Sequence, residues 1–395
     1  MKRIASLFII TCLSACSYFG GGKEVDLDAP VELEKFEPQL SVVKAWSHNL
    51  GKGSGKIGPI SIPAIDGDKL FSADHNGTVT AIDLNSGKRI WQRKLKKTYI
   101  SGATGASEGL VLVGTSQGQI IALSQSDGST LWTSQVSSEV LAPPATNGDS
   151  VVVLSLDGKV HGLDAQDGSD RWLVDTNMPL LTVRGNSAPI VVRDIAMNNN
   201  ISLDVAFIGH DNGKVAAYAM EDGVLLWEAR VGVPEGRTDL ERMVDVDGRP
   251  LYFNGTLYAV SFQGGLMAIQ PNTGRAAWFQ KASSNHGAGG YGGTLAITEA
   301  NGNVRAFNAS AGTELWSTDE YANRGLNAPV VTSDFVAFAD YKGYLHFLNR
   351  RTGATIGRKK VGGKGVRTPT IIHNDQVIVL NNSGGISAYT AVELK

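Results

Sequence analysis

The chain has 395 residues, enough for one large domain or two ordinary ones, and its formal net charge of −2 gives a nucleic-acid backbone no electrostatic hold. Charged residues are few (19%), glycines many (47), and the apolar residues largely β-branched or aromatic, which suggests short strands between frequent turns. No apolar run reaches the ~18 residues of a membrane-spanning helix.

The N-terminus has the layout of a secretory signal: Lys2 and Arg3, then an apolar run over residues 4–13 too short to span a bilayer. Leu13-Ser14-Ala15-Cys16 resembles the bacterial lipobox. That resemblance implies a signal peptide over residues 1–15, cleavage before Cys16 and lipid on its thiol and new amino group. Ser17 stands where lipoproteins kept in the inner membrane carry Asp, so the implied destination is the outer membrane, periplasmic face. The only cysteines are Cys12 and Cys16, and a lone mature thiol cannot form an internal disulfide. Residues 17–40 contain three consecutive glycines and six acids against two lysines, without strand or helix periodicity, and are expected to act as a flexible tether.

From residue 77 the chain repeats itself. GTVTAIDLNSGKRIW at 77–91 is followed by similar stretches from Gly118, Gly158, Gly213, Gly264 and Gly302, each with glycine, glycine and tryptophan at positions 1, 11 and 15. A seventh copy from Gly343 has Gly357 in place of tryptophan, and an eighth starts at Gly384 and ends with the chain. Trp91, Trp132, Trp172, Trp227, Trp278 and Trp316 each close a copy; Trp46, at the other end, lies where a circular arrangement needs the last one.

The unit is legible as chemistry. Asn76-Gly77, Asp157-Gly158, Asn212-Gly213 and Asn301-Gly302 are hairpin dipeptides suited to a type I′ turn, which needs positive φ at both central residues. A small residue recurs in the strand that follows (Ala81, Ala122, Gly162, Ala217, Ala268, Ala306, Ala388), permitting close approach of sheets. Each tryptophan offers ~150–250 Å² of burial between units. Upstream of each first glycine lies an apolar strand, and before that another, usually opened by a proline such as Pro59, Pro144, Pro189, Pro250, Pro329 or Pro369. Four strands per ~40 residues, eight times, predicts an all-β, eight-bladed β-propeller over residues 41–395, four antiparallel strands per blade, closed by the N-terminal strand near Trp46.

The pattern Ala81, Asp83, Gly87, Trp91 resembles the tryptophan-docking repeat of quinoprotein alcohol dehydrogenases, which use pyrroloquinoline quinone and calcium. The same repeat occurs in the BamB family, propeller lipoproteins of the machinery that inserts β-barrel proteins into the outer membrane. A small quinoprotein-like oxidoreductase is therefore the alternative reading. Against it, the dehydrogenases are longer and carry an adjacent cysteine pair, which this chain lacks. The repeat's aspartate gives way to Ser124, Ala219, Gln270, Asn308 and Asn349, a tolerance that suits turn capping. The seven histidines are scattered without metal-ligand spacing. Gly53–Gly58 and Gly287–Gly292 match G-x-G-x-x-G but open no helix. No cofactor, metal or catalytic residue is expected.

Two connections stand out. From the closing tryptophan to the next strand-opening proline is 13 residues after Trp46, 11 after Trp132 and 13 after Trp316, but 17 after Trp172 and 23 after Trp227. In a ring these two neighbours share one face, and loops of this length in a compact domain usually carry function. The first holds Leu180, Leu181 and Val183 beside Arg184; the second holds Asp245 and Asp247. Apolar anchors around an arginine have the composition of an interface hot spot. Two readings stay open: a docking surface, or leucines tucked under the ring with Arg184 paired internally to an aspartate. Residues 178–189 (MPLLTVRGNSAP) and 239–247 (DLERMVDVD) also resemble two BamB segments that dock BamA, the barrel subunit, through its periplasmic POTRA domains. The resemblance implies Leu181, Val183, Arg184, Asp245 and Asp247 as contacts, a non-enzymatic scaffold role, and unfolded outer-membrane proteins as further candidate partners.

Last, Arg350, Arg351, Arg358, Lys359, Lys360, Lys364 and Arg367 cluster in and just after the seventh copy. An anionic lipid or acidic partner is one reading; a solvated, charge-protected blade edge is the plainer one.

Overall fold

A computed structural model of the chain describes residues 29–51, 53, 62–176, 187–197, 201–362 and 365–394, and every regular element in them is a strand. The strands form eight four-stranded antiparallel sheets over residues 64–94, 100–135, 145–174, 190–230, 251–281, 289–318, 330–360 and 371–393, the last completed by Leu40–Asn49. These are blades one to eight, each running from an inner strand at the axis to an outer strand at the rim. In blade eight the outer strand comes from the opposite chain end: Leu40 pairs with Glu393 and Asn49 with Gly385, which closes the ring. The eight-bladed propeller is thus as the position of Trp46 requires.

Burial explains the strand patterns. The second strands, such as Leu110–Thr115, Ser150–Leu154 and Phe335–Ala339, are buried at every residue. They lie between neighbouring blades and so read as unbroken apolar runs. Outer strands such as Arg89–Lys94 and Thr130–Gln135 are mostly exposed, with the tryptophan their one buried residue.

The Asn-Gly turns differ from expectation. Gly77 has φ +88°, while Asn76, Asp157, Asn212 and Asn301 are not in the positive-φ region. The Gly77 N–H donates to Asp74 O at 2.9 Å, and the Asp74 N–H donates to Thr78 O at 2.8 Å. This is a type I turn closed by a left-handed glycine, a three-residue hairpin loop rather than a two-residue type I′ turn. Asp74 makes the longer loop favourable, its Oδ1 accepting from Asn76 N and Thr78 N.

The tryptophans join the blades. Each lies directly across its own sheet from the small residue of the repeat: Ala81 opposite Trp91, Ala122 opposite Trp132, Gly162 opposite Trp172, and Ala388 opposite Trp46. The indole N–H of each donates to a carbonyl in the next blade: Trp46 to Leu84, Trp91 to Gln125, Trp132 to Ala165, Trp172 to Met220, Trp227 to Pro271, Trp278 to Ala309 and Trp316 to Arg350, at 2.8–3.1 Å. The indole also lies flat on the second glycine of the next copy. A Cβ at Gly128 would sit 2.7 Å from Trp91, and one at Gly168 2.5 Å from Trp132. That close approach, with φ of +73° and +74°, requires glycine.

At the seventh joint the sizes are exchanged: Phe347 stands opposite Gly357. A tryptophan at 357 would dock on the turn between the third and outer strands of blade eight. Those two strands are opposite ends of the chain, so there is no turn to receive it. Leu40 fills the place instead, its Cβ 3.3 Å from where a Gly357 Cβ would be, and Gln39 N donates to Ile356 O at 2.9 Å.

The N-terminal boundary also differs. The expected tether ran to residue 40, yet residues 31–39 lie on the ring. Leu33 packs into the cluster containing Tyr321, Leu326 and Phe338. Val31, Leu33 and Phe36 are half-buried, with Glu32, Glu34, Lys35 and Glu37 exposed between them. Apolar side chains at intervals in an acidic stretch were enough to dock it. Residues 1–28, with the signal segment and Cys16, lie outside the described residues.

If the indole clamps hold the ring, Trp132→Ala should lower the unfolding free energy by about 3–5 kcal/mol in a urea titration. Leu131→Ala, at an adjacent side chain that is 52% exposed, should stay within about 0.5 kcal/mol. Equal effects would deny the clamp its role.

Candidate partner-docking surface

Within a blade, the turns between second and third strands and the connections from outer strand to next inner strand share one face of the ring. The long connection after Trp227 lies on that face across the turns of blades four and five. Val231 N and Gly232 N donate to Gly213 O at 2.8 and 3.0 Å, and Val246 N to His210 O at 3.2 Å. Ser261 Oγ donates to Val244 O at 2.9 Å, and Phe262 N to Asp245 O at 2.9 Å. The connection after Trp172 returns at Ser187, whose Oγ donates to Gly248 O at 3.1 Å. The ends of the two long connections therefore meet. Leu180, Leu181, Val183 and Arg184, the expected anchors, lie outside the described residues, as do Pro59, residues 54–58 and Lys364.

The two aspartates of the connection after Trp227 differ in their surroundings. Asp245 is fully buried. Asp247 points both carboxylate oxygens into space closed to water, with no hydrogen-bond partner among the described residues. Its carboxyl is pushed up to about 8, first by burial and then by the neighbouring Asp211 and Asp245 charges. Asp211, in the blade-four turn, is a member of this acidic group that its position in the sequence did not suggest.

The other overlooked residues are apolar. Leu240 is 64% exposed and Val233 58% exposed on the same connection. Leu240 sits on a firm turn. Glu241 accepts from Arg237 N and Thr238 N at 2.7 and 3.1 Å, while Thr238 Oγ1 accepts from Glu241 N at 3.2 Å. These backbone N–H groups hold the Glu241 carboxyl below its ordinary value. The reciprocal pattern is that of a capping box, readable in Thr238-x-x-Glu241. The surface thus combines an apolar knob on a hydrogen-bonded turn with a buried acid, Asp247, that no described residue hydrogen-bonds.

The remaining candidates have structural work. Asp83, Asp164, Asn308 and Asn349 each accept from backbone N–H groups within their own turns. His210 contacts Tyr218 at 3.1 Å and burial pulls it down to about 4. His346 meets Asp340 at 3.1 Å inside blade seven. Gly287–Gly292 runs into the inner strand Gly289–Tyr291, not a helix. Among the described residues no three His, Cys, Asp or Glu side chains gather as metal ligands. With Asp83, Asp164, Asn308 and Asn349 capping turns and no adjacent cysteine pair in the chain, the repeat residues do not fit a quinone and its calcium. Of the basic cluster, Arg350 donates to Ser333 O and Thr294 Oγ1, Arg358 to Glu34 O, and Lys360 to Lys342 O. Three of its cations are thus engaged within the chain.

The fold and this surface define a class: a tryptophan-docked β-propeller with a long connection laid across one face. A profile described as outer membrane protein assembly factor BamB matches residues 43–101, 75–303 and 300–395. Proteins of that name from Xanthomonas campestris pv. campestris and Pseudomonas aeruginosa are each 38% identical to this chain, over 98% of it and 97% and 98% of their own lengths. The crystal structure of BamB from Moraxella catarrhalis superposes with a TM-score of 0.77 at 26% identity, over 89% of this chain and all of that one. A quinohemoprotein alcohol dehydrogenase from Comamonas testosteroni shares the fold at a TM-score of 0.64 and 14% identity, over 88% of this chain and 76% of its own. The chain belongs to the BamB family of outer membrane protein assembly factors.

Because the Asp247 carboxyl is raised from about 3.8 to about 8 in the folded chain, the folded state holds a proton that the unfolded state has released. Its contribution to stability is therefore largest below about pH 4 and is lost as pH rises toward 8. Asp247→Asn, which removes this titration, should melt progressively higher than its parent across that interval, with the gain levelling off above pH 8. A constant offset in calorimetry from pH 4 to 9 would contradict the raised carboxyl of Asp247.

Proposed function

We propose that this protein is a non-enzymatic scaffold of the outer-membrane β-barrel assembly machinery, anchored by lipid at Cys16 on the periplasmic side, which docks the POTRA region of BamA and assists outer-membrane protein folding and insertion. The observation that carries the reading is the long connection after Trp227, laid across the turns of blades four and five and met at Gly248 by Ser187. It has an exposed Leu240 on a capped turn, and Asp247 with no hydrogen-bond partner among the described residues. Family membership supports it, since the relatives are named outer membrane protein assembly factors. In this reading Leu181, Val183 and Leu240 supply apolar anchors, while Arg184, Asp245 and Asp247 supply direction. A cation brought by the partner would compensate the buried acid with a charge-assisted hydrogen bond, and the rim around it would exclude water.

The test is a pull-down of the BamA periplasmic region by the full chain. Arg184→Glu and Leu240→Asp should each weaken capture by about tenfold or more, equivalent to at least ~1.4 kcal/mol, while leaving the thermal midpoint within a few degrees. Undiminished capture by both variants would end the docking assignment.

A further inference from the structure

The two ends of the docked N-terminal segment lie on opposite faces of the ring. Gln39 meets Ile356, just past the blade-seven turn between third and outer strands. That turn belongs to the face away from the docking surface. Midway, Arg358 donates to Glu34 O at 3.0 Å and lies over the Phe36 ring at 4.9 Å. At the far end Val31 N donates to Ala322 O at 3.1 Å, and Arg324 donates to Val31 O at 2.9 Å. Asn323 N donates to Asn301 O and Tyr341 N to Arg324 O. Those partners are the second-to-third turns of blades six and seven, so residues 322–324 belong to the face that carries the docking connections. Arg324 is itself fixed from behind, its guanidinium paired with the buried Asp340 at 2.7 Å. Burial would raise Asp340, but hydrogen bonds from His346, Tyr344 N and Arg324 outweigh it and keep the carboxyl low and charged.

We propose that residues 31–39 form an orienting strap that carries the chain across blade seven, so that the N-terminal tether leaves the ring on the docking-surface face. The consequence rests on the lipid anchor at Cys16 proposed above. From Cys16 to Ala29 the chain can reach about 45 Å; measured to Leu40, without the strap, it could reach about 80 Å and would leave from the opposite face. The strap therefore turns the partner-docking face toward the bilayer and keeps it close. Its last residue, Gln39, leads directly into Leu40, which fills the one blade joint that has no tryptophan.

The test uses the full lipidated chain on vesicles whose headgroups carry a paramagnetic quencher. A fluorophore is placed at Lys342→Cys, on the docking face of blade seven, or at Arg351→Cys, on the opposite face. The Lys342 label should be quenched more strongly. In Leu33→Ala/Phe36→Ala, which alters the strap and leaves the blades intact, that difference should vanish. The amides of Val31 and Gln39 should lose about tenfold or more of their hydrogen-exchange protection in the same variant. Equal quenching of the two labels in the parent, or a difference that survives release of the strap, overturns the proposal, as do unprotected strap amides in the parent. A chain that stays off the vesicles with its strap amides protected also overturns the orientation, through failure of the Cys16 anchor, and the retained protection tells that apart from failure of the strap.

Discussion

The ring depends on one pairing of sizes. A small residue in the third strand leaves room for the indole opposite it. The indole then reaches past its own sheet, lies on a glycine of the next blade and donates to a carbonyl there. Each clamp needs three residues from two blades, and any one is of little use without the other two. This is why the glycines and tryptophan recur at fixed spacing while the residues between them vary. Stability held in the joints leaves the connections on the ring's faces free to lengthen, and the two longest adjoin where Ser187 meets Gly248.

The seventh joint shows the same rule in its exception. A propeller closed by strands from both chain ends must lack one third-to-outer turn, so one tryptophan has no glycine to rest on. Gly357 opposite Phe347 is the consequence: the bulk moves to the third strand, and Leu40 takes the vacated space. The missing tryptophan is not a decayed repeat but a mark of where the circle is joined.

How much of this was legible follows from what kind of information each feature needs. Blade number, strand count and closure were readable because they rest on periodicity, which a single chain displays. The role of Ala81 and its equivalents was only half readable. Close approach was expected, but the partner is the tryptophan across the same sheet, a relation that needs the strand register. The type I′ turns were misjudged because Asn-Gly permits two hairpin geometries and the side chain of Asp74 selects the other. Residues 31–39 read as tether because their acids dominate the composition, whereas docking is done by Val31, Leu33 and Phe36 and by carbonyls that no composition reveals. In the candidate site, loop length singles out Asp245 and Asp247 in the sequence. Asp211 comes from a different repeat and joins them only through packing, and Leu240 was passed over although Thr238-x-x-Glu241 marks its turn.

The cations of blade seven tie these threads together. As a cluster in the sequence they suggested an external anion. In the fold, Arg350 braces the neighbouring turns of blades six and seven, and Arg358 and the nearby Arg324 take carbonyls of the N-terminal segment. A guanidinium suits this work because its several donors can hold a buried carboxylate and a passing carbonyl at once, as Arg324 does with Asp340 and Val31. The blade that lacks a tryptophan clamp is therefore the one richest in arginine: where the repeat cannot lock the joint with an indole, Leu40 fills it, and the segment before Leu40 is laid along the same blade and held by charge-assisted contacts to its backbone.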